Sequence, residues 1–174
     1  DLARLVLVAP YGLWLDDLFM SNPALHCGSF YWAISPACRP GRNTSGGTPV
    51  GLGDDAAYFG HALREQIIRT LAVAPDLARF SDITQWRTHT LVQLLAREDL
   101  VMISVWSPSF LTQLLDHAVA QRTELADAMV HSGAASVGRA ELVAASLAED
   151  RPAYARIWPQ LCVISCWDQA SSAA

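Results

Sequence analysis

The sequence predicts an α/β protein, a mostly parallel β-sheet with flanking helices, and two apolar runs separated by helical periodicity carry that reading. Leu100-Val101-Met102-Ile103-Ser104-Val105-Trp106 is almost continuously apolar, as a strand covered on both faces must be. Leu161-Cys162-Val163-Ile164-Ser165-Cys166-Trp167 is the second such run. Helices between them make a βαβ unit, whose crossover is right-handed in nearly all sheets. At 174 residues, 52% apolar and only 17% charged, the chain has material for one domain or a large piece of one, and is too apolar for disorder. So thinly charged an outside predicts that part of it meets more protein.

In chain order, Leu2, Leu5, Val6, Ala9, Leu13, Leu15, Leu18 and Phe19 recur near helical spacing, and Pro10 and Gly12 interrupt the helix they define. Ser21-Asn22-Pro23 punctuates, and after Gly28 the aromatic and β-branched run Ser29 to Ser35 reads as a strand stopped by Pro36. Residues 37–53 hold five glycines with Pro40 and Pro49, so a long loop is expected, with a short strand at Val50 to Leu52. Asp54 and Asp55 are placed to cap a helix from Ala56 to about Ala74, which Pro75 ends. The next helix begins near Ser81-Asp82 and carries Ile83, Trp86, Thr90, Leu91, Leu94 and Leu95 on one face. After the strand at Leu100 to Trp106, Ser107 stands as N-cap with Pro108 at the first helical position. One helix is expected from Ser109 to Val130, a loop over Gly133 to Gly138, a helix from Arg139 to Glu149, and a linker from Pro152 to Pro159 before the last strand. No internal repeat occurs, and the Ser/Ala tail from Ala170 reads as a frayed or truncated end. Residues 1–174 therefore read as a single α/β segment.

Charge and composition remove several chemistries. Twelve cations against seventeen acids give a net charge of −5 with His neutral, and no basic run occurs, so nucleic acid is not an expected partner. Every cation is Arg, which excludes a Schiff-base lysine, a P-loop lysine and the catalytic lysine of adenylating enzymes from this stretch. The all-Arg usage and 27 alanines read as the coding bias of a GC-rich genome and suggest a bacterial source. The longest unbroken apolar run, Leu5 to Pro10, is far short of the ~20 residues of a membrane span, and no charged segment precedes it, so no membrane or signal segment is expected. Cys27, Cys38, Cys162 and Cys166 lack CxxC spacing, which points to reduced thiols and a cytoplasmic protein. Cys162 and Cys166, four apart on a strand, face one side and read as small core residues rather than metal ligands. The opening Asp1 fits an excerpt of a longer protein.

Few motifs carry chemistry by themselves. Thr44-Ser45-Gly46-Gly47 could cradle a phosphate, but neither a Lys nor a helix start follows, and it reads as a turn. Trp106-Ser107-Pro108-Ser109 joins the carboxyl end of a strand to a helix N-terminus, where ligands of open α/β sheets sit; the alternative is a plain capping turn. His26, His61, His89, His117 and His131 are scattered without metal-ligand spacing, and Asp54 with Asp55 serves capping before acid–base work. No catalytic or metal-ligating set follows from spacing. The residues alone describe an α/β segment with a pocket at its strand ends.

Four ordered blocks nevertheless resemble one family. They are Phe30 to Pro36; Pro49-Val50-Gly51-Leu52-Gly53-Asp54-Asp55-Ala56-Ala57-Tyr58-Phe59-Gly60; Asp99-Leu100 with Ile103 through Leu111; and Ile157-Trp158-Pro159-Gln160-Leu161 leading into Ile164-Ser165-Cys166-Trp167. Their order and content resemble the bacterial branch of the auxin-responsive promoter family, whose plant members are acyl-acid amido synthetases of the luciferase-like, adenylate-forming superfamily. The resemblance implies a part of the large N-terminal adenylating domain. It implies a two-step ligase that uses ATP and Mg²⁺ to adenylate a small carboxylic acid and then joins it to an amino acid. Val50, Gly51 and Leu52 match a stretch contributing apolar walls to the acid pocket. Val105, Trp106 and Ser107 match the strand end facing that pocket. Cys166 and Trp167 match the strand end leading to the loop beside the adenine. Bacterial relatives usually continue Trp-Ala-Asp-Gly there, whereas this chain reads Trp167-Asp168-Gln169-Ala170. The nucleotide loop and the Ser-Glu motif of the family fall upstream and downstream of these blocks, so the implied partner is the remainder of a parent chain, and this stretch alone is expected to be inactive. A non-catalytic segment binding a small acid or a protein, and a truncated fragment with uncovered core strands, are the alternatives.

Overall fold

The structure is a computed structural model that describes residues 13–33, 42–43, 45–46, 49–50, 65 and 68–166. Its centre is an all-parallel sheet of three strands in the order β1-β4-β5, where β1 is Ser29–Ala33, β4 is Leu100–Val105 and β5 is Val163–Cys166. Two short strands, β2 (Arg42–Asn43) and β3 (Pro49–Val50), form a separate antiparallel ladder. The helices are α1 (Ile83–Ala96), α2 (Pro108–Ala120), α3 (Arg122–His131), α4 (Val137–Leu147) and α5 (Tyr154–Ile157), with residues 13–21 helical and 3₁₀ turns at Pro23–Cys27 and Pro75–Arg79. The expected architecture, a parallel sheet with flanking helices, is the one observed.

The apolar run at Leu100 became the central strand because both its faces find cover. All six residues of β4 are buried. On one face Tyr31, Ala33, Ile103 and Val105 join Leu91, Leu94 and Leu95 of α1, Leu111 and Leu114 of α2, Leu125 and Met129 of α3, and Val143 and Leu147 of α4. On the other, Trp32, Val101 and Met102 meet Leu25 and the half-buried Leu15, Leu18 and Phe19 of the helical residues 13–21. Each fully buried Leu or Ile contributes about 1.5–3 kcal/mol, so this two-sided burial fixes β4 more firmly than its ladders do. Strand β1 approaches β4 so closely at its start that a Cβ on Gly28 would collide with the Asp99 carbonyl oxygen and Val101 Cγ1. The Ser29 N–H donates to that same carbonyl at 2.8 Å.

At the amino end of β4 the open carbonyls of α1 are closed by distant groups. Arg139 of α4, nearly fully buried, donates to Leu95 O at 3.1 and 2.8 Å, to Arg97 O at 3.2 Å and to Ile157 O at 2.7 Å. Trp158 Nε1 donates to Leu94 O at 3.1 Å. One guanidinium thus ties α1, α4 and α5 together where helix carbonyls would otherwise lack partners.

Several boundaries differ from expectation. The helix expected to reach Ala74 has helical residues only to position 70 in the described stretch, because Leu71 bridges in parallel to Phe30 and the Ala72 N–H donates to Phe30 O at 2.7 Å. Pairing with the open sheet edge competes with helix propagation, and Pro75 opens a 3₁₀ turn instead of ending a helix. The helix expected from Ser109 to Val130 is two helices, parted at Gln121 with φ −112° and ψ 25°. The break lets Leu125 and Met129 enter the main core. Helix α4 starts at Val137 rather than Arg139, since Ser136 Oγ accepts from the Arg139 N–H at 3.3 Å. The expected linker from Pro152 to Pro159 contains α5. Ser45 and Gly46 form the turn between β2 and β3, so the described half of the Thr44-to-Gly47 tetrapeptide is a turn, as expected. The helix start at Asp54, the interruption at Pro10 and Gly12, Ile34, Ser35, Cys38 and the tail from Ala170 lie outside the described residues. No helix among the described residues is long and apolar enough to cross a membrane.

Candidate functional site

The three parallel strands end together. Ala33, Val105 and Cys166 are register partners, which puts the carboxyl ends of β1, β4 and β5 side by side with β4 in the middle. The chain leaves β4 through Trp106, whose N–H donates to Ala33 O at 3.1 Å, and enters α2 through Ser107. Ser107 is buried; its Oγ accepts from the Phe110 N–H at 3.2 Å and shares a 3.0 Å hydrogen bond with Ser109 Oγ. The capping role considered for this junction is therefore what the Ser107 hydroxyl performs.

Beside the junction, α1 and α2 diverge to leave a cleft of about 210 Å³ lined by Ile83, Trp86, Arg87, Trp106, Phe110, Gln113 and Leu114. Its wall is a chain of tilted rings, with Trp86 5.7 Å and Trp106 5.9 Å from Phe110 between centroids. Trp86 is placed there by the stripe that buries α1, whose start is fixed by Asp82 Oδ1 accepting from the Gln85 N–H at 2.7 Å. Phe110 and Gln113, three apart, are carried by the first turns of α2 on the side toward α1.

The electrostatics of the cleft are one-sided. Arg87 makes no ion pair among the described residues. Burial, and after it the positive charge of Arg87, hold His117 below the ordinary imidazole range, and its Nε2 is buried without a hydrogen-bond partner. Trp106 Nε1 is likewise buried without a partner.

The residues expected at the site meet different fates. Val105 and Cys166 are neighbours across the ladder; Val105 is fully buried and Cys166 half-buried, both packed in the main core. Of the expected residues that are described, only Trp106 lines the cleft, and Ser107 supports it from the cap. Val50 lies in the separate β2-β3 ladder. Gly51, Leu52 and Trp167 lie outside the described residues. Trp86, Arg87, Phe110 and Gln113 were not expected as site residues; the available signal was an aromatic pair four apart across a strand-to-helix junction, Trp106 and Phe110. Of the two strand cysteines read as core, Cys166 packs against the main core, whereas Cys162 is exposed, its Sγ 3.4 Å from Val101 O. Among the described residues no group of three or more His, Cys, Asp or Glu could hold a metal ion.

No family model and no curated protein matches this chain. Among solved structures, the AtGH3.15 acyl acid amido synthetase in complex with 2,4-DB is similar over 98% of this chain and 33% of its own, with a TM-score of 0.74 and 17% identity. The GH3.15 acyl acid amido synthetase is similar over 94% of this chain and 33% of its own, with a TM-score of 0.62 and 13% identity. The chain spans about a third of the length of these structures. At such identities the likeness is one of architecture, and it bears out the fold expected from the family resemblance: the chain has the α/β fold of the acyl acid amido synthetases over the third of their length that it matches.

Proposed function

We propose that this chain is the acid-binding part of an ATP-dependent ligase that adenylates a small carboxylic acid and conjugates it to an amino acid. The observation that carries the reading is the strand register: Val105, on the acid side, and Cys166, on the nucleotide side, are neighbours across one ladder. Adjacent strands lie ~4.8 Å apart, so groups held over the two strand ends are held next to one another. The fold likeness to acyl acid amido synthetases supports it.

In the first step a carboxylate oxygen attacks the α-phosphorus of ATP and pyrophosphate leaves. In the second the amine nitrogen attacks the acyl carbon, AMP leaves, and the amine gives up a proton. The chain has no lysine, and no acid or base for either step is identified among its described residues. Its part is to hold and orient: Trp106 offers the acid a flat wall, Ser107 fixes the turn that presents it, Val50, Gly51 and Leu52 add apolar wall, and Cys166 with Trp167 borders the base. Magnesium, where bound, would neutralise the phosphates.

The test uses the polypeptide that carries this chain. Trp106→Ala is expected to raise KM for the acid at least tenfold while changing KM for ATP less than threefold; Cys166→Phe is expected to do the reverse. Equal effects of both variants on both substrates would contradict the division of the strand ends into acid and nucleotide sides.

A further inference from the structure

We draw no further inference here: the strongest candidate, the open outer edge of β5 with its exposed Ile164, carries nothing because nothing among the described residues shows what covers it.

Discussion

Arg139 shows what one residue can do that composition does not reveal. It sits in a helix as one arginine of twelve, yet its guanidinium is almost fully buried and answers the carbonyls of three residues at the ends of two helices. Burial lowers its pKa from the ordinary guanidinium value, a penalty that the nearby Glu98 carboxylate partly offsets, and the carbonyl oxygens supply the remaining compensation. Arg139→Ala should therefore cost ~3 kcal/mol or more in urea unfolding, because the carbonyls stay buried and lose their donor. Arg139→Lys should restore only a minor part, since an ammonium cannot span the fork. His117 gives a pH signature. Its folded pKa lies below its unfolded value, so on acidification the unfolded chain takes up the proton first, and stability falls as pH drops through ~6.5 toward the folded value. The loss levels off below the folded value. His117→Gln should flatten that slope, and Arg87→Gln should narrow the window by removing one of its two causes; thermal melts between pH 7.5 and 5 would read both.

At the scale of elements, what was legible depended on whether the cause was local. Asp82 before α1 and Ser107-Pro108 before α2 are start signals whose donors and acceptors lie within three residues, and both helices begin where those signals stand. Ser107→Ala and Asp82→Ala should each cost ~1 kcal/mol, with Ser107→Asp near neutral; a much larger loss for Ser107 would mean that its hydroxyl does more than cap. The early helix end before Leu71 was not legible, because its cause is an edge strand forty residues away in sequence, Phe30. Gln121 carries no breaking signal either: neither Pro nor Gly occurs there, and the bend follows from the core that Leu125 and Met129 enter. The same rule explains the site. Trp106 and Ser107 stand at a junction the sequence marks, whereas Arg87 and Gln113 come to the cleft only through the crossing of two helices.

For the whole molecule, the apolar surface expected from composition is visible at particular places. Ile164, on the outer strand β5, is 58% exposed, and Leu13 and Met20 of the helical residues 13–21 are 73% and 83% exposed. A parallel strand with an open apolar face is unusual in a finished sheet, since such sheets are covered on both sides. If, as proposed above, this chain is one part of a larger ligase, Ile164 is expected to be covered by the rest of that ligase. Ile164→Glu should be tolerated in the 174-residue chain, changing its stability by less than ~0.5 kcal/mol as surface substitutions do, but should destabilise the proposed larger ligase. Equal effects in both would place Ile164 at a surface that nothing covers. The central claim is that the ends of this sheet hold an acid where ATP can reach it, and pyrophosphate exchange in the parent polypeptide measures it most directly, because exchange reports the first chemical step without the amine. Exchange is expected to require a monocarboxylic acid and to fall at least tenfold in Trp106→Ala at subsaturating acid. Exchange that proceeds equally with no acid, or is unchanged by that substitution, would contradict it.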